Sequence, residues 1–264
     1  MVITDILRKE RKIGLIIKDF DIVSKVRDIH KRVKGKYGSR RMAKQLCDEG
    51  YTVSRCKARR LMKTAGVVYK AKRKFKVTTD SKHQFPISPN ILDRSFDISL
   101  PNKAWCSDII YLWTKEGWMY LAVVIDLFSR KVVGWALNDH LKASLTTEAL
   151  SMAYFKRKPN PGLIHHSDRG SQYASNEFQA LLSEYNMISS MSRKGDCWDN
   201  AVAESFFGTL KSELTDDRTY DTKEELRSDV MEYIEMFYNS QRLHSTNGYL
   251  IPNKYERDKI SKLA

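Results

Sequence analysis

Three acidic residues in the second half of the chain stand where a carboxylate is hard to account for unless it holds a metal ion: Asp108, Asp168 and Glu204. Asp108 lies inside the strand-like run CSDII, although Asp is disfavoured in strands and costly to bury without a partner. Asp168 follows the short strand-like LIHH and precedes Arg169–Gly170, at the carboxyl end of a strand, where open α/β sheets gather ligand-binding groups. Glu204 falls near the start of a helix that Asn200 or Asp199 can cap, with Val202, Phe206 and Leu210 as a buried stripe. Between Asp168 and Glu204 lie 35 residues. Hard oxygen donors at one spot favour magnesium or manganese over zinc. Two such ions about 3.5–4 Å apart activate a water or a DNA 3′-hydroxyl and stabilise the leaving oxygen of an in-line phosphoryl transfer, with no covalent protein nucleophile. Taken singly, Asp168 also reads as a loop cap and Glu204 as a solvated helix residue. Asp126, at the end of another strand, is the rival ligand, though a turn former before Ser129–Arg130 accounts for it more simply.

The elements that must position these acids follow from periodicity. Trp105–Trp113, Trp118–Asp126 and Lys131–Leu137 are rich in aromatic and β-branched residues and are separated by turn-like segments at Lys115–Gly117 and Ser129–Arg130. They are expected as a three-strand antiparallel meander. A helix is expected over Ser144–Phe155, a short strand over Leu163–His166, a helix over Asn176–Tyr185, a strand over Met187–Met191, and helices over Asn200–Glu213 and Thr222–Asn239. The order βββαβαβαα is an α/β fold, a mixed five-stranded sheet flanked by helices. Two strand carboxylates and one from a helix converge if the middle strand is shared. Gly208 and Lys211 follow Glu204 at i+4 and i+7, so carboxylate, bare backbone and cation share one face, with Lys211 set for a DNA phosphate or for solvent.

The front of the chain is organised by charge. Residues 1–100 carry 26 basic and 10 acidic side chains, and residues 101–264 carry 20 and 22, so +16 stands against −2 within a total of +14. An excess confined to one region is a footprint for a polyanion, with nucleic acid the leading partner. An anionic membrane would call for an amphipathic anchor or an apolar span of about 18 residues, and the run at Tyr120–Ile125 falls short. In Ser39–Gly66, Ser39 can cap a helix with Met42, Ala43 and Leu46 inward, Gly50 ends it, and Ser54 can cap a second helix with Ala58, Leu61, Met62 and Ala65 inward. This is a helix-turn-helix candidate (39–66), with Arg55, Lys57, Arg59 and Arg60 outward at the start of the second helix, where a recognition helix meets the major groove. A helical hairpin with solvated basic faces is the plainer alternative. The organisation expected is an all-helical region 1–70, a basic linker 71–100 with Pro86 and Pro89 and no sustained period, and a core 101–264. The linker either tracks a phosphate backbone or is a solvated tether.

The four cysteines, Cys47, Cys56, Cys106 and Cys197, lack CxxC spacing and are expected as reduced, mostly packed thiols. His165–His166 cannot present both rings on one strand face. Arg8, Lys9, Arg11 and Lys12 follow the first apolar residues with no long apolar stretch after them, so a cytosolic protein is expected.

SDIIYL around Asp108, LIHHSDRGSQYAS around Asp168 and SMSRKGDCWDNAVAESFFGTLKSE around Glu204 resemble the DDE transposases of the bacterial IS3 family, OrfB type, within the retroviral-integrase superfamily. YGSRRMAKQLCDEGYTVSRCKARRLMKTAGV resembles that family's helix-turn-helix segment, and VVIDLFSRKVVGWAL its second and third core strands. The likeness runs from about Lys36 to Tyr255, and YNSQRLHSTNGYLIP departs from the family's RPHSALGY at Leu243, Thr246 and Asn247. It implies a ribonuclease H-like core with Asp108, Asp168 and Glu204 as metal-binding catalytic acids and Lys211 as a contact to the transposon end. It also implies attack by a 3′-hydroxyl at an element end and integration into target DNA. Expected partners are double-stranded DNA, an upstream-frame subunit or fusion partner, and further copies of the chain on DNA, in the bacterial cytoplasm at the nucleoid. The DNA contacts expected are Lys211, Arg55, Lys57, Arg59, Arg60, Arg40, Arg41, Arg193 and Lys194. A nuclease that cuts without joining, and an inactive element remnant acting as a repressor, are the alternative readings.

Overall fold

A computed structural model of the chain describes residues 21–69, 85–193, 197–216 and 218–262. The chain divides into two compact units, Met1–Ala71 and Lys72–Ala264.

In the first unit α1 (21–32), α2 (Ser39–Asp48) and α3 (Arg55–Thr64) share a core of Ile22, Val26, Ile29, Met42, Leu46, Ala58, Leu61 and Met62. The inward residues are those expected from spacing. Ser39 does not cap α2: Gly38 is the N-cap and its carbonyl already takes the Met42 N–H at 3.0 Å, which leaves Ser39 inside the first turn. Gly50, at φ +92°, stops the helix as expected, and Tyr51 N–H reaches back to the Leu46 carbonyl at 2.9 Å. Ser54 caps α3, its hydroxyl accepting the Lys57 N–H at 3.2 Å. Arg55, Arg59 and Arg60 are exposed and Lys57 is half-buried. Arg40 is exposed, whereas Arg41 stacks over the Tyr37 ring. Glu49 gathers Lys25 and Arg32, and these contacts outweigh its burial and hold its carboxyl down at about 2. Cys47 and Cys56 correct one expectation, being exposed thiols on the outer faces of α2 and α3.

The second unit is built on β1 (Ala104–Thr114), β2 (Gly117–Asp126), β3 (Val132–Asn138), β4 (Ile164–Ser167) and β5 (Ile188–Met191), in the order β3-β2-β1-β4-β5. β1, β2 and β3 form the antiparallel meander, and β4 and β5 join in parallel, so β1 is the central strand. Between strands run α4 (Ala143–Arg157), the short α5 (Ser171–Ala174) and α6 (Asn176–Glu184), which bury Leu145, Leu150 and Phe178 against Trp105, Val124 and Val133. α4 lies so close to β3 that a Cβ on Gly134 would come 2.2 Å from the Ala149 carbonyl oxygen.

After β5, a 3-10 turn at Cys197–Asn200 leads into α7 (Ala201–Leu210). Ala203, Phe206, Phe207 and Leu210 are its buried face; Phe206 and Leu210 are inward as expected, whereas Val202 is half-buried and Ala203 and Phe207 take the inner side beside them. The two long helices expected near the C-terminus each change pitch: α7 passes into a π segment, Lys211–Thr215, and α8 (Lys223–Met231) into another, Glu232–Tyr238. A last helix, α9 (Pro252–Ile260), was not expected from periodicity.

Of the stretch expected as a linker, residues 70–84 lie outside the described residues. The free-tether reading does not hold for Ser88–Phe96. Ile91 and Leu92 donate their N–H groups to the Ser190 hydroxyl at 2.9 and 3.2 Å, Leu92 is buried, and Arg130 donates to the Phe96 carbonyl at 3.1 Å. This irregular backbone satisfies its donors on serines of β5 rather than in a ladder, which leaves no period to read.

Candidate active site

Asp108 stands in the middle of β1, and β4 pairs with β1 in parallel as far as Cys106↔His166. Two residues further along each chain come Asp108 and Asp168, so the strand spacing of about 4.8 Å sets the scale of their separation. Asp168 is the first residue past β4, where that chain turns away and leaves β1 open on this flank. The Asp108 carboxylate accepts the Ile109 N–H at 2.7 Å, and that of Asp168 accepts the Gly170 N–H at 2.9 Å. A Cβ on Gly170 would approach the Asp168 Oδ1 to 3.0 Å and the Gln172 Oε1 to 3.2 Å, so glycine lets the loop close on the carboxylate.

Glu204 occupies the fourth position of α7, which packs against β1. Burial pushes the Asp108 carboxyl well above the ordinary carboxylate range, and the charges of Asp168 and then Glu204 push it further the same way. The three acids therefore share one electrostatic neighbourhood. Glu204 is raised by burial, although its residue surface is exposed; Asp108 and Asp168 are half-buried. Among the described residues, no group of three or more His, Cys, Asp or Glu side chains is gathered closely enough to hold a metal ion as it stands. A divalent cation among the three acids would offset the repulsion between their charges. As a donor set, three carboxylates from a strand, a strand end and a helix fit a hard cation.

Tyr173 was not singled out by sequence. Its hydroxyl is buried and has no hydrogen-bond partner among the described residues, and its pKa is pushed well up by burial, then by Asp108 and Asp168. An aromatic residue three places after a loop glycine reads as core, and nothing in the spacing marks its hydroxyl. Beneath the acids, His165 meets the Ser107 hydroxyl at 2.7 Å and His166 meets that of Ser190 at 2.9 Å, on opposite faces as expected.

Asp126 does not join the group. It sits opposite Trp105, at the other end of the β1 pairing, and accepts the N–H groups of Asn102 and Phe128, each at 2.9 Å, as a turn former does. Neither expected cap of α7 is made: Asn200 is the N-cap residue without a side-chain hydrogen bond, and Asp199 turns inward. There it binds Arg193, Arg94 and Asn90. Arg193, expected on DNA, bonds Asp199 while its own surface stays exposed; Lys194 lies outside the described residues. Lys211 is half-buried, and that burial draws its ammonium pKa down.

Residues 99–197 and 204–260 match two family models described as integrase core domain, and residues 18–75 match one described as an HTH-like domain. The chain is 42% identical over 230 residues to the transposase InsF for insertion sequence IS3A of Escherichia coli K12, covering 87% of this chain and 80% of that protein. It is 41% identical over 235 residues to an uncharacterised 31 kDa protein of insertion element IS600 from Shigella sonnei, covering 89% and 86%. Among solved structures, the HTLV-2 integrase catalytic core domain in complex with magnesium matches 60% of this chain and 97% of its own, at 19% identity and a TM-score of 0.44.

Proposed function

The chain belongs to the IS3 family of insertion-sequence transposases, with an integrase core, and we propose on that footing that it cuts and joins DNA at element ends by in-line phosphoryl transfer. What supports the reading is the placement of Asp108 on the central strand, with Asp168 and Glu204 near enough to raise its carboxyl. Asp108, Asp168 and Glu204 would hold Mg2+ or Mn2+, two ions in the reacting complex, and the metal would supply activation of the attacking water or 3′-hydroxyl and charge neutralisation at the leaving oxygen.

The chain's own residues do the rest. Backbone N–H groups of Ile109 and Gly170 orient two of the carboxylates. Desolvation makes the bare charge of Asp108 unfavourable, which favours capture of a cation. Half-buried Lys211 gains from a phosphate oxygen what burial takes from its charge. In the first unit Arg55, Lys57, Arg59 and Arg60 on α3, with Arg40 and Arg41 on α2, meet the duplex, and Arg193 and Lys194 lie among the contacts of the core. The division of labour is a helical DNA-binding region up to residue 70, a basic segment 71–100 and a catalytic core from 101. The reaction takes place in the bacterial cytoplasm, with several copies and an upstream-frame partner on paired ends.

The test is joining of element-end DNA to a target duplex in Mg2+. The Asp108→Asn variant is expected to lose about 10⁴-fold in rate, and Mg2+ is expected to raise the melting temperature of the wild type but not of this variant. Hydrolysis without joining would replace the transposase with a nuclease. Joining by the variant at the wild-type rate would remove the site.

A further inference from the structure

Nine residues beyond Glu204 in the same continuous helix, Glu213 forms an ion pair with Arg242 that is closed to solvent, the two side chains being 3% and 4% exposed. Arg242 Nε donates to both carboxylate oxygens at 3.1 and 2.8 Å, and Nη2 donates to Oε1 at 2.9 Å. The Tyr233 hydroxyl adds a fourth bond, to Oε2 at 2.9 Å, and the guanidinium lies 5.5 Å from the Tyr238 ring centroid. Both π segments meet here: Glu213 belongs to Lys211–Thr215, and Tyr233 and Tyr238 to Glu232–Tyr238. Their wider turns close hydrogen bonds over five residues, as from Asp216 to Lys211 at 2.8 Å and from Asn239 to Ile234 at 3.1 Å. Such insertions into a helix recur at functional positions.

A buried ion pair is a weak source of stability, because desolvating both charges offsets their attraction. It is a good way to fix geometry, and the geometry it fixes here leads from sheet to site. The Asn239 side chain brackets Val132 of β3, accepting its N–H at 3.0 Å and donating to its carbonyl at 2.9 Å. Three residues later Arg242 grips Glu213, which is two residues past Lys211 and, at 1.5 Å per residue, about 13 Å along the axis from Glu204. A slip of one residue at that end would swing Glu204 and Lys211 about the axis by about 100°.

We propose that the Glu213–Arg242 pair, completed by Tyr233, is a positioning lock that sets the rotation and register of the Glu204–Lys211 helix against the sheet bearing Asp108. The acid and the phosphate-binding lysine are thereby delivered together. This rests on the roles given to Glu204 and Lys211 above. None of the lock residues touches substrate; each acts through the helix.

The test uses the full chain, element-end DNA and Mg2+, with three variants. E213L/R242M replaces the pair with apolar side chains, which preserves or raises the stability of proteins with such pairs. Y233F removes one hydroxyl, and R242K keeps the charge without the fork. With melting temperature near the wild type, E213L/R242M is expected to lose about 100-fold in kcat for joining. Its log-log salt slope of end binding should become shallower by about 0.9, the share of one phosphate. Y233F should move both readouts several-fold less in the same directions, and R242K should restore part of kcat. Folded variants that join at the wild-type rate with the wild-type slope would overturn the lock; if E213L/R242M does not fold, an unchanged Y233F overturns it. Failure of the wild type to join would sink the transposase reading, and the salt slope would still judge the lock.

Discussion

Asp199 and Asp108 are acids of the same unit set in opposite surroundings. Asp199, with no exposed surface, receives Arg193 through three hydrogen bonds of 2.8 to 3.0 Å, Arg94 at 3.0 Å and Asn90 at 2.9 Å. Arg193 first, then Arg94, hold its carboxyl well below the ordinary range against the opposing effect of burial. Asp108 accepts the backbone N–H of Ile109, and burial together with the charges of Asp168 and Glu204 moves its carboxyl the other way. The fold meets one charge from within and holds the other in a state that favours an external cation. The imidazoles below follow the same contrast: burial lowers both, but Asp199 restrains the fall of His166 to about 4, while His165 drops to about 3.

The comparison breaks first at Asp108. Asp108→Asn should cost about 10⁴-fold in joining and leave the melting temperature at neutral pH unchanged or higher. A carboxyl whose folded pKa lies above its unfolded value weakens folding as pH rises through that interval, and the amide removes this cost. Next in size is Gly170→Ala, which presses a methyl onto the Asp168 carboxylate. Joining should fall about 100-fold, as for displacement of a catalytic group by a fraction of an ångström to one, with stability nearly kept.

Asp199→Asn should do the reverse of Asp108→Asn, losing about 2 kcal/mol of stability by denaturant titration; the partial exposure of both arginines screens the pair and keeps the figure modest. The stability that Asp199 contributes is present above the unfolded carboxylate value of 3.8 and is lost as pH falls below it. The smallest effect separates the histidines. Unfolded imidazoles take protons near 6.5 and the folded ones only near 4 and 3, so stability should decline as pH falls from 6.5. His166→Asn should roughly halve the steepness of that decline between 6.5 and about 4 and leave in place the His165 share, which runs from 6.5 to about 3, read from melting temperature against pH. A stability profile flat between pH 4 and 6.5 would remove the buried neutral pair from the account.

What was legible in the chain follows from which forces act locally. Asp108 is conspicuous because a carboxylate interrupts a β-branched, aromatic strand, and the meander is bounded by turns that need no distant partner. The inward faces of α2 and α3 show in their spacing, and Ser54 caps as its type suggests. The π segments at Lys211–Thr215 and Glu232–Tyr238 have no such mark, and the contact at which they meet, between Glu213 and Arg242, joins residues 29 apart. Asp199 looked like a local cap for the same reason: Arg94, which draws it inward, lies 105 residues earlier. Ser88–Phe96 reads as tether because serines of β5, not a ladder, hold its backbone.

Each border of the sheet carries positions that are already engaged. On β3 a single amide, Asn239, takes both outward groups of Val132, and on the β5 side Met191 N–H turns to the Pro89 carbonyl at 3.4 Å while Ser190 holds Ile91 and Leu92. A strand from a neighbouring molecule finds no bare template at these places, so strand addition is blunted there as a route to association. The chain is guarded at the same points against strand-by-strand stacking into fibres.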